Sequence, residues 1–136
     1  MIKIIIAAHG ELAQELVNSA ELIAGKQPNL YAVKRSADDS LAQMQERIET
    51  LIKSVADDDG VLIMTDMIGG TPCNASAPMC RNFNTEVLTG VNLPMILSAV
   101  FASKTAGNAA ELAEKAAQDG QKSIINIKKM LASRMK

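Results

Sequence analysis

Apolar residues occur along the chain in short runs, and their spacing predicts strands and helices in turn. The stretch "IKIIIAAHG" at 2–10 contains a β-branched run without polar alternation, which is typical of a strand buried on both faces of a parallel sheet. "VLIMTD" at 61–66 has the same character, and "NLYAVKR" at 29–35 and "TEVLTGVN" at 85–92 predict two further strands. The pattern therefore predicts four strands that are separated along the chain.

Between these strands, apolar residues recur at helical spacing. The first helix is predicted to bury one face and to end at Gly25; the residues of that face are Leu12, Leu16, Ala20 and Ile23. A second apolar repeat runs over 41–55, and Ser36, Asp38 or Asp39 could cap this helix.

The second half of the chain predicts three more helices. Thr71 is expected to be the N-cap of a helix that starts at Pro72, and Pro78 should kink or shorten this helix. "LPMILSAVFAS" and "NAAELAEKAAQ" predict the other two, and Gly120 is expected to end the last one.

Strands and helices thus alternate over the whole of 1–136, which predicts one α/β domain with right-handed crossovers and a central, mostly parallel sheet. We expect a three-layer sandwich with the strand order 2-1-3-4. "SIINIKKML", which begins at Ser123, is predicted to form a final half-polar strand at the edge of the sheet. An exposed apolar edge favours pairing with another chain, so we expect a homodimer.

Composition narrows the function. Aromatic residues make up only 2% of the chain, and 14 basic against 15 acidic residues give a net charge of -1, so nucleic acid is not expected as a partner. The N-terminal apolar run is too short for a signal peptide, and no segment approaches the roughly 18 apolar residues of a membrane span. We therefore expect a cytoplasmic protein. Two cysteines and a single histidine predict neither a disulfide framework nor a metal site.

The best candidate chemistry follows the first and third strands. His9 and Asp66 each come directly after a buried strand, and function in open parallel sheets gathers at the carboxyl ends of the strands. A carboxylate that accepts a hydrogen bond from one ring nitrogen leaves the lone pair of the other nitrogen free, as a nucleophilic histidine requires. Alternatively, His9 is satisfied by a backbone group, and Asp66 only caps a turn.

A second candidate is "GGTP" at 69–72. Free backbone N–H groups at a helix start, together with the Thr71 hydroxyl, can bind an anion without Lys or Arg, so Gly70 and Thr71 are predicted to bind a phosphoryl group on His9. Ser36, at the end of the second strand, is a possible contact at the rim. A tight turn with a Thr cap is the alternative interpretation.

Three blocks together, "IIIAAHGELAQEL", "GVLIMTDMIGGTPCN" and "TGVNLPM", resemble the IIA component of the mannose-type bacterial sugar phosphotransferase system (PTS). The resemblance covers nearly the whole chain. It implies that His9 accepts a phosphoryl group from the carrier protein HPr and passes it to a IIB component, which phosphorylates incoming sugar. It also implies that Asp66 orients the histidine and that Thr71 lies near the phosphoryl group.

The resemblance further implies that no cofactor is needed and that the membrane components IIC and IID are met only indirectly. Because the chain ends at Lys136, we expect the IIB partner to be a separate polypeptide. Such domains commonly exchange an antiparallel last strand between the two subunits of a dimer. Two alternatives stay open: the phosphotransfer subunit of dihydroxyacetone kinase, whose usual loop differs from "GGTP", and a non-catalytic regulatory or anion-binding module.

Overall fold

A computed structural model describes residues 1–135 of the chain, apart from the side chain of Asn82. The last residue of the predicted domain, Lys136, lies outside the described residues. The elements follow in the order β1 (Lys3–His9), α1 (Leu12–Ala24), β2 (Leu30–Arg35), α2 (Leu41–Val55), β3 (Val61–Thr65), α3 (Thr71–Ser76), α4 (Met79–Asn82), β4 (Thr85–Thr89), α5 (Leu93–Ala102), α6 (Ala109–Lys122) and α7 (Ile127–Arg134).

The centre of the fold is a parallel sheet with the strand order β2-β1-β3-β4, as predicted. In the register of the two central strands, Ile6 lies beside Met64 and Ala7 beside Thr65. All five residues of β3 and the interior of β1 are buried. This burial explains why neither strand shows polar alternation.

Two apolar layers cover the two faces of the sheet and make the fold a three-layer α/β sandwich. On one face, Ile4, Ile6 and Met64 pack with residues of α1, α5 and α6. On the other face, Ile5 and Ala7 pack with residues of α2 and α3. Successive side chains of a strand point to opposite faces, so His9, two residues after Ala7, emerges on the side of α2 and α3.

Two details of the predicted helices are wrong. In α1 the buried residues are Ala13, Val17 and Ala20, whereas Leu12 and Ile23 are 45% and 59% exposed. Ala13, Val17 and Ala20 belong to the apolar core on the face of the sheet that α1 covers, and Leu16 packs against it partly buried. Gly120 does not end α6. It lies inside the helix, where an added Cβ would meet the Met95 side chain at 3.1 Å, so it permits close packing of α6 on α5.

The predicted caps also need correction. Helix α2 is capped by Ser40, whose hydroxyl accepts from the Gln43 amide in a capping box, instead of by one of the three residues upstream. Helix α3 starts at Thr71 with Gly70 as its N-cap, so Thr71 is the first helical residue and not the cap. As predicted, Pro78 interrupts the helix, because α3 ends before it and α4 begins after it.

The predicted C-terminal strand is wrong. Residues 127–134 form helix α7, and the Asn126 side chain caps it by accepting from the Lys129 amide. A strand needs a neighbour, and β4 remains an edge of the sheet among residues 1–135. Local capping and helix-forming residues therefore decide the conformation here, and residues 1–135 contain no antiparallel strand. The side chains of Ile124, Ile125 and Ile127 are more than half exposed.

Candidate active site

The two central strands bring His9 and Asp66 to the same edge of the sheet. His9 is the last residue of β1, and Asp66 follows directly on β3. Because β1 and β3 are parallel neighbours, their carboxyl ends coincide, and residues far apart in sequence meet there. Gly10, with a φ of 58°, lets the chain turn sharply away after His9 in a conformation that favours glycine.

Asp66 holds His9 through two hydrogen bonds to one oxygen. Its Oδ2 accepts from the His9 backbone amide at 3.0 Å and lies 2.7 Å from His9 Nδ1. Its other oxygen, Oδ1, accepts from the Met67 amide at 3.0 Å. Burial would raise the pKa of the Asp66 carboxyl, but the hydrogen bonds from His9 outweigh it and lower this pKa below its usual value. Asp66 is therefore ionised at neutral pH.

The ionised carboxylate fixes the tautomer of the imidazole. A carboxylate without a proton can only accept hydrogen bonds, so Nδ1 must carry the proton that faces Asp66. In the neutral ring, Nε2 then keeps its lone pair. The His9 side chain is 42% exposed, whereas Asp66 is only 13% exposed. Asp66 thus holds Nδ1 of a ring that is partly exposed, an arrangement that suits nucleophilic attack by Nε2.

Gly70 and Thr71 lie at the start of α3, beside the histidine. A Cβ built on Gly70 would lie 2.8 Å from Cε1 of His9, so the backbone of Gly70 is in direct reach of the ring. Thr71 is half-buried as the first residue of α3. The amides of a first helical turn have no partner within the helix, and those of Gly70 and Thr71 belong to the segment that approaches the ring.

Ser36 lies with His9 around one cleft of about 430 Å³, which the ends of β1 and β2 form with the residues that follow them. Lys34 and Glu11 also border the cleft and form an ion pair with each other. A second cavity, of about 340 Å³, lies between β4, α5 and α6, and no ionisable side chain lines it. Of these two cavities, only the cleft at His9 is lined by ionisable side chains.

The sequence interpretation missed how Ser36 is held. The Ser36 amide donates to Asp39 Oδ2 at 2.7 Å, and Arg47 of α2 binds both carboxylate oxygens of Asp39 at 2.9 and 3.0 Å. Arg47 also donates to the Lys34 carbonyl at 2.7 Å. The hydrogen bonds from Arg47 and Ser36 hold the pKa of the Asp39 carboxyl far below its usual range. The sequence predicts Asp39 only as a candidate helix cap, and no spacing signal points to an arginine of the next helix.

Residues 1–135 contain no cluster of three or more His, Cys, Asp or Glu side chains that could hold a metal ion. Within the same residues, no helix combines the length and the apolar character that are needed to cross a membrane.

Comparison with known proteins gives consistent matches. The family model described as "PTS system fructose IIA component" matches residues 3–117. The fructose-specific EIIA component of Bacillus subtilis strain 168 is 34% identical over 98 residues, which are 71% of this chain and 67% of that protein. The mannose-specific EIIAB component of Escherichia coli K12 is 27% identical over 128 residues, or 93% of this chain. The chain spans only 40% of the length of that relative.

Solved structures agree with the sequence matches. The crystal structure of the phosphotransferase system component EIIA from Streptococcus agalactiae superposes with a TM-score of 0.85 and 31% identity, covering 95% of this chain and 99% of that one. The sheet order, the matched residues and the fold agree with one another. The chain therefore belongs to the PTS fructose IIA component family, the mannose-type IIA components of the sugar phosphotransferase system.

Proposed function

We propose that this protein is a cytoplasmic phosphohistidine carrier, which accepts a phosphoryl group from phospho-HPr on His9 and passes it to a IIB component. One observation carries the proposal: His9 Nδ1 lies 2.7 Å from the Asp66 carboxylate, while the His9 side chain is 42% exposed. Membership of a PTS family means that the protein serves phosphoryl transfer in sugar uptake. The donor, the acceptor and the nitrogen that reacts are our proposals.

The proposed step is an in-line displacement between two imidazoles. The lone pair of His9 Nε2 forms a bond to phosphorus while the N–P bond of the donor histidine breaks, and the donor nitrogen keeps the electron pair. The His9 ring then carries both the phosphoryl group and the Nδ1 proton, so it becomes cationic. The negative charge of Asp66 stabilises this cation. Transfer to IIB repeats the step with the roles of the two rings reversed.

Three further residues are proposed to bind the phosphoryl group. The backbone of Gly70 and the first turn at Thr71 lie beside the imidazole, where amide donors can stabilise the charge of the transferring group. Ser36 borders the cleft that His9 also lines. These contacts would add to the orientation and charge that Asp66 supplies to the ring. Thr71→Ala and Ser36→Ala should therefore each slow transfer less than Asp66→Asn does.

The partners must cover the surface around His9, because two imidazoles can exchange a phosphoryl group only in contact. Met67 and Ile68 follow Asp66 in the loop before α3, and their side chains are 56% and 78% exposed. Exposed apolar side chains beside a reactive group are suited to a protein surface that binds transiently. We propose that HPr and IIB use this surface in turn. The membrane components IIC and IID would be reached only through IIB.

We also propose a homodimer. Ile124, Ile125, Ile127 and Leu131 are each at least half exposed in the C-terminal segment, and β4 is an edge strand. A second copy would cover this apolar surface. The contact does not require that the segment forms a strand.

The direct test is incubation with phosphoenolpyruvate, Enzyme I and HPr, followed by intact-mass measurement. We expect a mass increase of one phosphate that is labile in acid and stable in base. His9→Ala, which removes the only imidazole, should fold and stay unmodified. An unmodified wild-type protein under conditions that charge HPr would support the anion-binding alternative instead. The dihydroxyacetone kinase alternative is not favoured, because the matched relatives are sugar-specific PTS components.

A further inference from the structure

We propose that Gly70 is a positioning residue for His9. Its missing side chain leaves the space in which the imidazole can keep Nδ1 on Asp66 and Nε2 toward the cleft. The effect of this position on transfer rests on the proposed function, whereas its effect on the ring does not. The phosphoryl-binding role proposed above uses only the backbone of Gly70, so the two roles are compatible.

The space beside the ring is too small for any side chain. A Cβ on Gly70 would lie 2.8 Å from His9 Cε1 and 3.3 Å from Met67 Cγ, whereas carbon atoms pack at about 3.5–4.0 Å. Cε1 is the ring carbon between the two nitrogens. A side chain at position 70 would therefore press on the edge of the ring that joins the fixed Nδ1 to the reactive Nε2.

The ring can move away from an added Cβ only by straining its hydrogen bond to Asp66. Nδ1 lies 2.7 Å from Asp66 Oδ2, and Asp66 is itself fixed by the backbone amides of His9 and Met67. A displacement of the ring that makes room for a Cβ must lengthen or bend the Nδ1 contact. The cost of the added methyl group would thus fall on the interaction that selects the tautomer.

The backbone does not explain why this residue is glycine. Gly70 has φ and ψ of -80° and 162°, an extended conformation that every residue adopts. Its neighbour Gly69 is the opposite case, with a φ of 83° and no atom within 4 Å of an added Cβ. Glycine is therefore needed at 69 for conformation and at 70 for space, and this contrast supplies a matched pair of substitutions.

The test compares Gly70→Ala, Gly70→Ser and Gly69→Ala with the wild type by NMR of the His9 ring nitrogens. The chain has one histidine, so these signals need no assignment by mutation. Serine is a better N-cap than alanine, so Gly70→Ser adds a Cβ without weakening the start of α3. Transfer from phospho-HPr and thermal unfolding are measured on the same samples of the wild type and the two Gly70 variants.

We expect a proton on Nδ1 and an unprotonated Nε2 in the wild type. Both Gly70 variants should show a mixture of tautomers and a transfer rate reduced by about 100-fold, with melting temperatures near that of the wild type. Gly69→Ala should be strained, yet keep the wild-type ring signals.

Wild-type tautomer and rate in both Gly70 variants would overturn the proposal. It would also be overturned if Gly69→Ala changed the ring signals as strongly, because the effect would then belong to the loop and not to the space at 70. If the wild type cannot be phosphorylated, the proposed function fails, and the comparison of tautomers still decides the role of Gly70.

Discussion

Asp66→Asn is the substitution whose effect follows most closely from the geometry of the site. Oδ2 accepts from two donors of His9, and Oδ1 accepts from the Met67 amide. The carboxylate therefore accepts three hydrogen bonds and donates none. An amide has only one acceptor oxygen. If its NH₂ group replaces Oδ1, it faces the Met67 N–H. If it replaces Oδ2, it faces the His9 backbone N–H and favours the tautomer with the proton on Nε2.

The expected loss of rate follows from two contributions. A hydrogen bond to a charged group contributes about 1.5–3 kcal/mol, against about 1 kcal/mol for a neutral one. Loss of the negative charge beside the cationic ring costs between about 1 kcal/mol in water and about 4 kcal/mol at the effective dielectric constant of a protein surface. His9 is 42% exposed, so water screens this charge, and its loss should cost about 1 to 2 kcal/mol. We expect transfer to slow by about 100-fold, within a range of about 10- to 1,000-fold.

The assay is single-turnover transfer from phospho-HPr, with unfolding in urea measured alongside. Asp66→Asn should keep the fold. Asp119→Asn is the matched control, because it removes a carboxylate that accepts from Ser98 and Lys115 on the α5 and α6 side of the sheet, and its rate should equal that of the wild type. A wild-type rate for Asp66→Asn would refute the reasoning and leave Asp66 as a residue that only fixes its turn.

Three further predictions concern stability and assembly. Asp39→Asn should lower the free energy of unfolding at neutral pH. Because the folded-state pKa of Asp39 is depressed, the variant's loss of unfolding free energy relative to wild type should be largest above about pH 4 and should shrink as the pH falls further. A loss that stays constant with pH would contradict this prediction. Gly60→Ala should destabilise by about 2 kcal/mol or more in urea unfolding, because φ is 92° and the new Cβ would lie 3.0 Å from the Asn84 carbonyl. Gly25→Ala, with φ of 82° and free space, should cost about 1 kcal/mol, and equal costs would refute the steric argument. Deletion of residues 123–136 should convert a dimer to a monomer in light scattering, whereas a monomeric wild type or a dimeric deletion variant would contradict the proposed contact.

The features predicted best from the sequence are the strands that are completely buried. The isoleucines of β1 and the apolar run of β3 are covered on both faces, and only a central parallel sheet gives two short strands that environment. Once both strands are central, their ends are adjacent. The meeting of His9 and Asp66 therefore follows from the hydrophobic pattern and needs no motif. Their roles in catalysis stay predictions.

What the sequence could not predict depends on contacts between distant side chains or on a choice between nearly equal local conformations. Arg47 reaches Asp39 across the turn that holds Ser36, and no periodicity encodes such a pair. The isoleucines near the C-terminus favour a strand, but Asn126 caps a helix there, and a strand could form only beside a partner. Gly70 illustrates a third limit. The sequence alone does not show whether a glycine is required for its backbone conformation or because there is no room for a Cβ.

NMR of the phosphorylated protein can show whether Nε2 of His9 carries the phosphoryl group. With the phosphoryl group supplied by phospho-HPr and the imidazole labelled with ¹⁵N, we predict coupling of phosphorus to Nε2 and a proton retained on Nδ1, which stays on Asp66. Phosphorus on Nδ1, or on any residue other than His9, would contradict the proposed transfer to Nε2.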